Sequence, residues 1–168
     1  MRTAPTAAIA LVLCAALTAC GFQLRGTASL PFDKLYMPPA AGGIALDLKR
    51  NIQSGTNTKV VDDPKSADAL LEFSQETRDK QILSLAANGR VREYQLRYLV
   101  GFRVHDNKGG EFLPLNQIVL KRDVTFNDSD VLSKESEEQL LYRDMQTDMV
   151  QQIMRRLATA HAPKTAAQ

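Results

Sequence analysis

The chain has 168 residues, with 21 Lys and Arg against 19 Asp and Glu, two His, two Cys and no Trp. A charge balance that close argues against a general nucleic-acid binder, which needs a surplus of base on one face. Two cysteines cannot staple a chain of this length, so the fold has to rest on a hydrophobic core.

The first predicted element is a secretory signal over residues 1–19. Arg2 is its charged start, the apolar run from Ala7 to Leu17 its hydrophobic stretch, and Thr18-Ala19 the small residues that cleavage requires. That run is too short to cross a bilayer, which takes about 20 apolar residues. Leu17-Thr18-Ala19-Cys20 resembles the bacterial lipobox. The resemblance implies that Cys20 carries a thioether-linked diacylglycerol and an acylated amine, and becomes the first residue of the mature chain. Three acyl chains bury far more CH₂ than the single chain that binds a membrane only marginally. Cys14 leaves with the signal, so neither cysteine is free for redox chemistry. Gly21, where retention in the inner membrane favours Asp, points to transit to the outer membrane. Residues 20–160 are then one domain, and the small and polar residues 161–168 a flexible tail.

Within the domain, Lys34-Leu35-Tyr36-Met37 reads as a short strand stopped by Pro38-Pro39. Ile44, Leu48 and Ile52 recur at helical spacing after Gly42-Gly43, with Ser54-Gly55 as the stop. A second strand begins at Asp68-Ala69-Leu70-Leu71 and runs to Leu85 through a polar middle, Gln75 to Gln81. Asn88-Gly89 is the strongest short hairpin signal available. The next strand alternates almost without a break: Tyr94, Leu96, Tyr98, Val100, Phe102 and Val104 share one face, with Glu93, Gln95, Arg97, Arg103 and His105 on the other. From Val91 to His105, at about 3.3 Å per residue, it reaches roughly 50 Å. After the turn Asp106 to Gly110, a fourth strand covers Phe112 to Phe126.

The last helix opens at Ser133 or Ser136, where Ser136-Glu137-Glu138-Gln139 reads as a capping box. Tyr142, Met145, Met149, Ile153 and Leu157 form its apolar stripe, with Val150 at the margin. The expected fold class is α+β: a two-layer sandwich, with two helices packed on one face of a four-stranded, mostly antiparallel sheet. The first strand joins the sheet through a crossover over the first helix, and its neighbour is left open.

No nucleophile elbow, phosphate loop or pair of His at metal spacing occurs. His105 lies on a polar strand face and His161 in the tail. The residues therefore predict no catalysis, no metal and no cofactor beyond the lipid on Cys20. One cluster stands out. Arg90 and Arg92 follow the Asn88-Gly89 turn, and antiparallel order brings Lys134 to the same end of the sheet. Arg grips phosphate oxygens in pairs while Lys acts as a point charge, so Lys134, Arg90 and Arg92 are the candidate residues for an anionic headgroup.

Cys20-Gly21-Phe22-Gln23-Leu24-Arg25-Gly26, Asn88-Gly89 followed by Glu93-Tyr94-Gln95, and the approach from Phe126 to Lys134 together resemble the LptE family of lipopolysaccharide (LPS)-assembly lipoproteins. The resemblance covers almost all of the chain beyond the signal. It implies a lipoprotein of the Gram-negative outer membrane that sits in the lumen of the LptD β-barrel, assists assembly of that barrel, and binds LPS for delivery to the cell surface. It also implies a non-enzyme. The family's basic residue before the Asn-Gly turn falls here on Ala87, so Arg90 or Arg92 has to stand in, whereas Lys134 matches the family's other basic position. A wet, polar lumen would suit the stretch Gln75 to Gln81, with Arg78, Lys80 and the Asn88-Gly89 tip against lumen or loop residues. Two other readings stay open: a different outer-membrane accessory lipoprotein that binds a protein partner and no LPS, and a hydrolase of the envelope.

Overall fold

The computed structural model describes residues 29–126 and 131–162, with residues 131 and 132 followed in their backbone only. The predicted signal, Cys20 and Gly21 lie outside the described residues, as does most of the tail. Of that tail, His161 is described, and its N–H donates to the Phe112 carbonyl at 3.3 Å.

The elements in chain order are β1 (Lys34–Tyr36), α1 (Gly43–Gly55), β2 (Lys59–Val61), a 3₁₀ turn (Pro64–Ser66), β3 (Ala69–Leu85), β4 (Val91–His105), β5 (Glu111–Thr125) and α2 (Val131–Ala158). They form one sheet in the order β2-β1-β3-β4-β5. The expectation of four strands is therefore corrected to five, and the sheet is mixed. β1 runs parallel to both β2 and β3, while β3, β4 and β5 form the expected antiparallel meander. The strand that the sequence hides is Lys59-Val60-Val61, which is too short to show a period. A chain that leaves β1 through a helix returns in the same direction, so the strand after α1 pairs parallel with β1.

Two sets of hydrogen bonds fix β1 between its neighbours. On the β2 side, Thr58 Oγ1 donates to the Phe32 carbonyl at 2.9 Å and Lys59 N to the Asp33 carbonyl at 2.8 Å. On the β3 side, Lys34 N donates to Asp68 Oδ2 at 2.8 Å, and Asp68 N returns a bond to the Lys34 carbonyl.

Both helices lie on one face of the sheet. The alternation of β4 turns Leu96, Tyr98, Val100, Phe102 and Val104 into that interface, each at most 1 % exposed. Facing them are Ile44, Leu48 and Ile52 of α1 and Met145, Met149, Val150, Ile153 and Leu157 of α2. The predicted stripe of α2 is thus the packing face, with Tyr142 half-buried at its upper end. The helix starts earlier than its serines suggest. Ser136 stands in the second turn, so Ser136-Glu137-Glu138-Gln139 is helix interior and not a capping box.

The two predicted turns form as read. Gly89 adopts φ +79° and Asn88 Oδ1 accepts from Arg90 N at 3.2 Å. Gly109 adopts φ +85° while Asp106 Oδ1 accepts from both Lys108 N and Gly110 N at 2.7 Å. Left-handed backbone of this kind costs an L side chain, which is why glycine stands at both positions.

One irregularity decides what the far half of β3 does. The register between β3 and β4 slips between Phe73 and Gln75, so Ser74 is an inserted residue opposite Gly101. A Cβ at Gly101 would stand 2.4 Å from Ser74 Oγ. Because a strand alternates with period two, one extra residue exchanges its faces. Before the bulge, β3 gives the helices Leu71 and Phe73. After it, β3 gives them Glu76, Arg78 and Lys80.

Candidate functional site

The charged row beyond the bulge is held from both layers. The buried Tyr98 hydroxyl donates to Glu76 Oε1 at 2.6 Å, and Arg78 Nη2 donates back to the Tyr98 oxygen at 3.3 Å. The Arg78 guanidinium lies 4.5 Å from the Tyr98 ring centre and 5.8 Å from that of Tyr142, a cation on two aromatic faces. Arg78 also donates to Gln146 Oε1, whose amide nitrogen donates to Asp47 Oδ2 of α1. A single chain of polar contacts thus ties the sheet to α2 and α2 to α1. Burial, followed by the Glu76 carboxylate, pushes the Tyr98 phenol well above its ordinary range. Burial also raises the Tyr142 phenol, with smaller effects from Glu138 and Asp79. Both phenols stay protonated and act as donors, Tyr142 to the Asp79 carbonyl at 3.0 Å.

Further toward the Asn88-Gly89 tip, the first turns of α2 stand off the sheet. The cleft between them has a volume of about 230 Å³ and is lined by Lys80, Tyr94, Leu96, Val124, Phe126, Lys134, Glu135 and Glu138. The pairing register explains the floor: Lys80 lies opposite Leu96, and Tyr94 opposite Val124. Tyr94 and Phe126 meet edge to face, their centres 5.2 Å apart. Two cations serve this cleft, one from each layer. Lys80 Nζ of β3 lies 2.6 Å from Glu138 Oε2 and 4.5 Å from the Tyr94 ring centre. Lys134 Nζ of α2 lies 2.7 Å from Glu137 Oε2. An apolar, aromatic floor under ammonium groups suits a ligand that is apolar at one end and anionic at the other.

Of the three sequence-predicted residues, Lys134 lines this cleft. Arg90 sits in the hairpin turn and Arg92 is exposed at the start of β4, where its carbonyl accepts from Phe126 N at 2.8 Å. Neither arginine is among the lining residues. The cation that accompanies Lys134 is Lys80, which the sequence reading assigned, with Arg78, to an outward polar stretch. The signal for the difference was Gly101. An isolated glycine inside an alternating strand marks a bulge or a close approach, and the bulge at Ser74 turns Arg78 and Lys80 toward the helices.

The opposite face of the sheet carries polar pairs. Arg97 Nη1 lies 3.6 Å from Asp79 Oδ2, and Gln95 Nε2 donates to Asp123 Oδ1 at 2.9 Å. Toward the β1 end, Arg103 grips one Glu72 oxygen with Nε and Nη2, while His105 Nε2 lies 3.1 Å from the other. Among the described residues no three His, Cys, Asp or Glu side chains converge as metal ligands, and no helix is long and apolar enough to cross a membrane.

A family model described as "LptE: Lipopolysaccharide-assembly" matches residues 30–157, a span that holds every strand, all but the last residue of α2, and every lining residue of the cleft. The chain belongs to the LptE family. It is similar to the LPS-assembly lipoprotein LptE of Yersinia enterocolitica, 30% identical over 150 residues that cover 85% of this chain and 70% of that one. Its counterpart in Yersinia pestis is 31% identical over 148 residues, with the same coverage. Among solved structures, lipoprotein B of Nitrosomonas europaea superposes with a TM-score of 0.71 at 41% identity, covering 82% of this chain and 90% of that one. The rare lipoprotein B of Shewanella oneidensis has a TM-score of 0.65 at 23% identity, covers 75% and 94% of the two chains, and shows the shared fold alone. LptE membership joins this chain to lipopolysaccharide assembly.

Proposed function

We propose that this chain is an outer-membrane lipoprotein, anchored in the periplasmic leaflet through acylated Cys20. It forms a plug-and-barrel complex with the LptD β-barrel, assists that barrel's assembly, and binds LPS for delivery to the outer leaflet. It works by binding and without catalysis. The observation that carries the reading is the amphipathic cleft beside Lys134, inside the region that matches the LptE family. LPS is an amphiphile with phosphorylated sugars, so an apolar floor beneath ammonium groups is complementary to it. The polar pairs on the opposite sheet face support the plug, since a barrel interior is wet and polar and must be filled without unpaired charge.

Reversing charge at Lys134, Arg90 and Arg92 together tests the binding half. Loss of one charge-assisted contact is worth about 1.5–3 kcal/mol, so LPS affinity should fall at least tenfold while the circular dichroism stays that of the parent. Equal affinity in equal salt would show that these basic residues do not hold the headgroup, and a parent that binds no LPS at all would leave a lipoprotein that binds a protein partner only. The plug half is tested by photo-crosslinkers at Asn88 and Thr77, both exposed. Arg78 is unsuitable because its guanidinium is already bonded to Tyr98 and Gln146. Crosslinks to the barrel are expected, and failure at both positions would remove the plug. Mass spectrometry of the mature N-terminus should show a triacylated Cys20, and an unmodified cysteine there would contradict the anchor.

A further inference from the structure

We propose that Lys80 is the sheet-side cation of this cleft, and that Glu138 holds in the unliganded protein the place that a ligand's anionic headgroup takes. The proposal rests on the reading of the cleft as a lipopolysaccharide site and adds to it a residue and a means of control. Lys80 and Lys134 reach the cleft from opposite layers, one from β3 and one from α2, so an anion between them would be held from both sides. Each ammonium already has a carboxylate, Glu138 at 2.6 Å and Glu137 at 2.7 Å. Lys80, Glu138 and Lys134 line a space of about 230 Å³ whose floor is Leu96, Val124, Tyr94 and Phe126, while Glu137 lies outside its lining.

The side chains of Lys80 and Glu138 are 37% and 26% exposed. An ion pair that open to water contributes little to stability, commonly less than about 1 kcal/mol. It is therefore cheap to exchange. With Glu135 and Glu138 against Lys80 and Lys134, the lining carries no net charge as it stands, and an incoming phosphate meets two carboxylates. Rotation of Glu138 about its side-chain bonds toward solvent would leave Lys80 stacked on Tyr94, 4.5 Å from the ring centre, with its other side open to the phosphate. Lys80 then contributes attraction to the bound state, and Glu138 sets how strong a ligand must be to displace it.

The test measures equilibrium binding of the full chain to lipid A, to lipid A stripped of its phosphates, and to inorganic phosphate. The variants are K80Q, K80R, E138Q and K134Q. For lipid A, K80Q should weaken binding about tenfold and K80R should largely restore it. E138Q should strengthen it several-fold, a gain that misfolding cannot produce. Stripped lipid A should bind weakly to every variant alike, and inorganic phosphate far more weakly than lipid A. If K80Q leaves affinity unchanged while K134Q lowers it, Lys80 is not part of the site and the lipopolysaccharide reading survives alone. No response from either lysine would defeat that reading as well. Weaker binding by E138Q would make Glu138 a support that positions Lys80, against the proposal. Inorganic phosphate binding as tightly as lipid A would reduce the cleft to an anion site.

Discussion

The two halves of this sheet are built from the same strands and serve opposite ends. Near β1, Leu71 of β3 and Phe102 and Val104 of β4 are fully buried against the helices, in an apolar core with Ile44, Leu48, Ile52, Met149, Ile153 and Leu157. Toward the hairpin tip, β3 presents Glu76, Arg78 and Lys80 to α2, the cleft opens, and Ile82, Leu83 and Leu85 are exposed. The change occurs at one inserted residue, Ser74. The near half carries the cohesion of the domain, and the far half can therefore keep charge and open space between its layers. Local stability in proteins varies in this way, with binding regions drawn from the less cohesive end.

The sharpest test of that contrast is to truncate one side chain in each half. Phe102 is fully buried in the near half, and Phe102→Ala should cost about 3–5 kcal/mol, the usual loss for a core aromatic. Leu83, 47% exposed near the tip, should tolerate Leu83→Ser within about 0.5 kcal/mol. Urea denaturation read by circular dichroism measures both. Comparable losses at the two positions would mean that the far half is as tightly cohesive as the near one.

A smaller effect is expected at the boundary. Gly101→Ala places a Cβ 2.4 Å from Ser74 Oγ, and relieving that clash should cost about 1–3 kcal/mol. Adding Ser74→Gly removes the oxygen and should recover most of the loss, because residues in contact couple. Without such recovery, the bulge would not be what requires glycine there.

The same boundary separates what was legible in the sequence from what was not. β4 could be read outright, since Tyr94 to Val104 alternate almost without a break and the apolar residues at the even positions face the helices. The α2 stripe and the Asn88-Gly89 turn were equally plain, because helical spacing and left-handed glycine are local properties. Lys59-Val60-Val61 escaped because three residues carry no period and their pairing is made by β1, far away in sequence. Lys80 was misplaced for a related reason. Its facing depends on a register slip six residues earlier, and a slip is a relation between two strands. Lys134 could be placed at this end of the sheet because its position on α2 and the order of the strands sufficed. Arg90 and Arg92 were chosen for nearness to the turn, a weaker guide than the face that a residue occupies.

The smallest expected effect concerns the polar face near β1. Arg103, first by its hydrogen bonds, and then His105 hold the Glu72 carboxyl below its ordinary value of 4.5. A carboxyl whose folded-state pKa is depressed adds stability that is present above the unfolded value and disappears as the pH falls through the folded one. Glu72→Gln should therefore lower the thermal midpoint slightly at pH 6, and the gap between variant and parent should close as the pH drops below 4.5. The Glu72 side chain is 44% exposed, so solvent screening keeps the difference to a few tenths of a kcal/mol, about 1–2 °C. A gap that persists to pH 3 would show that Glu72 acts through packing and not through its charge. A gap of several degrees would mean that this face is cohesive in its own right, and the division between a structural near half and a functional far half would have to include charge on the near side too.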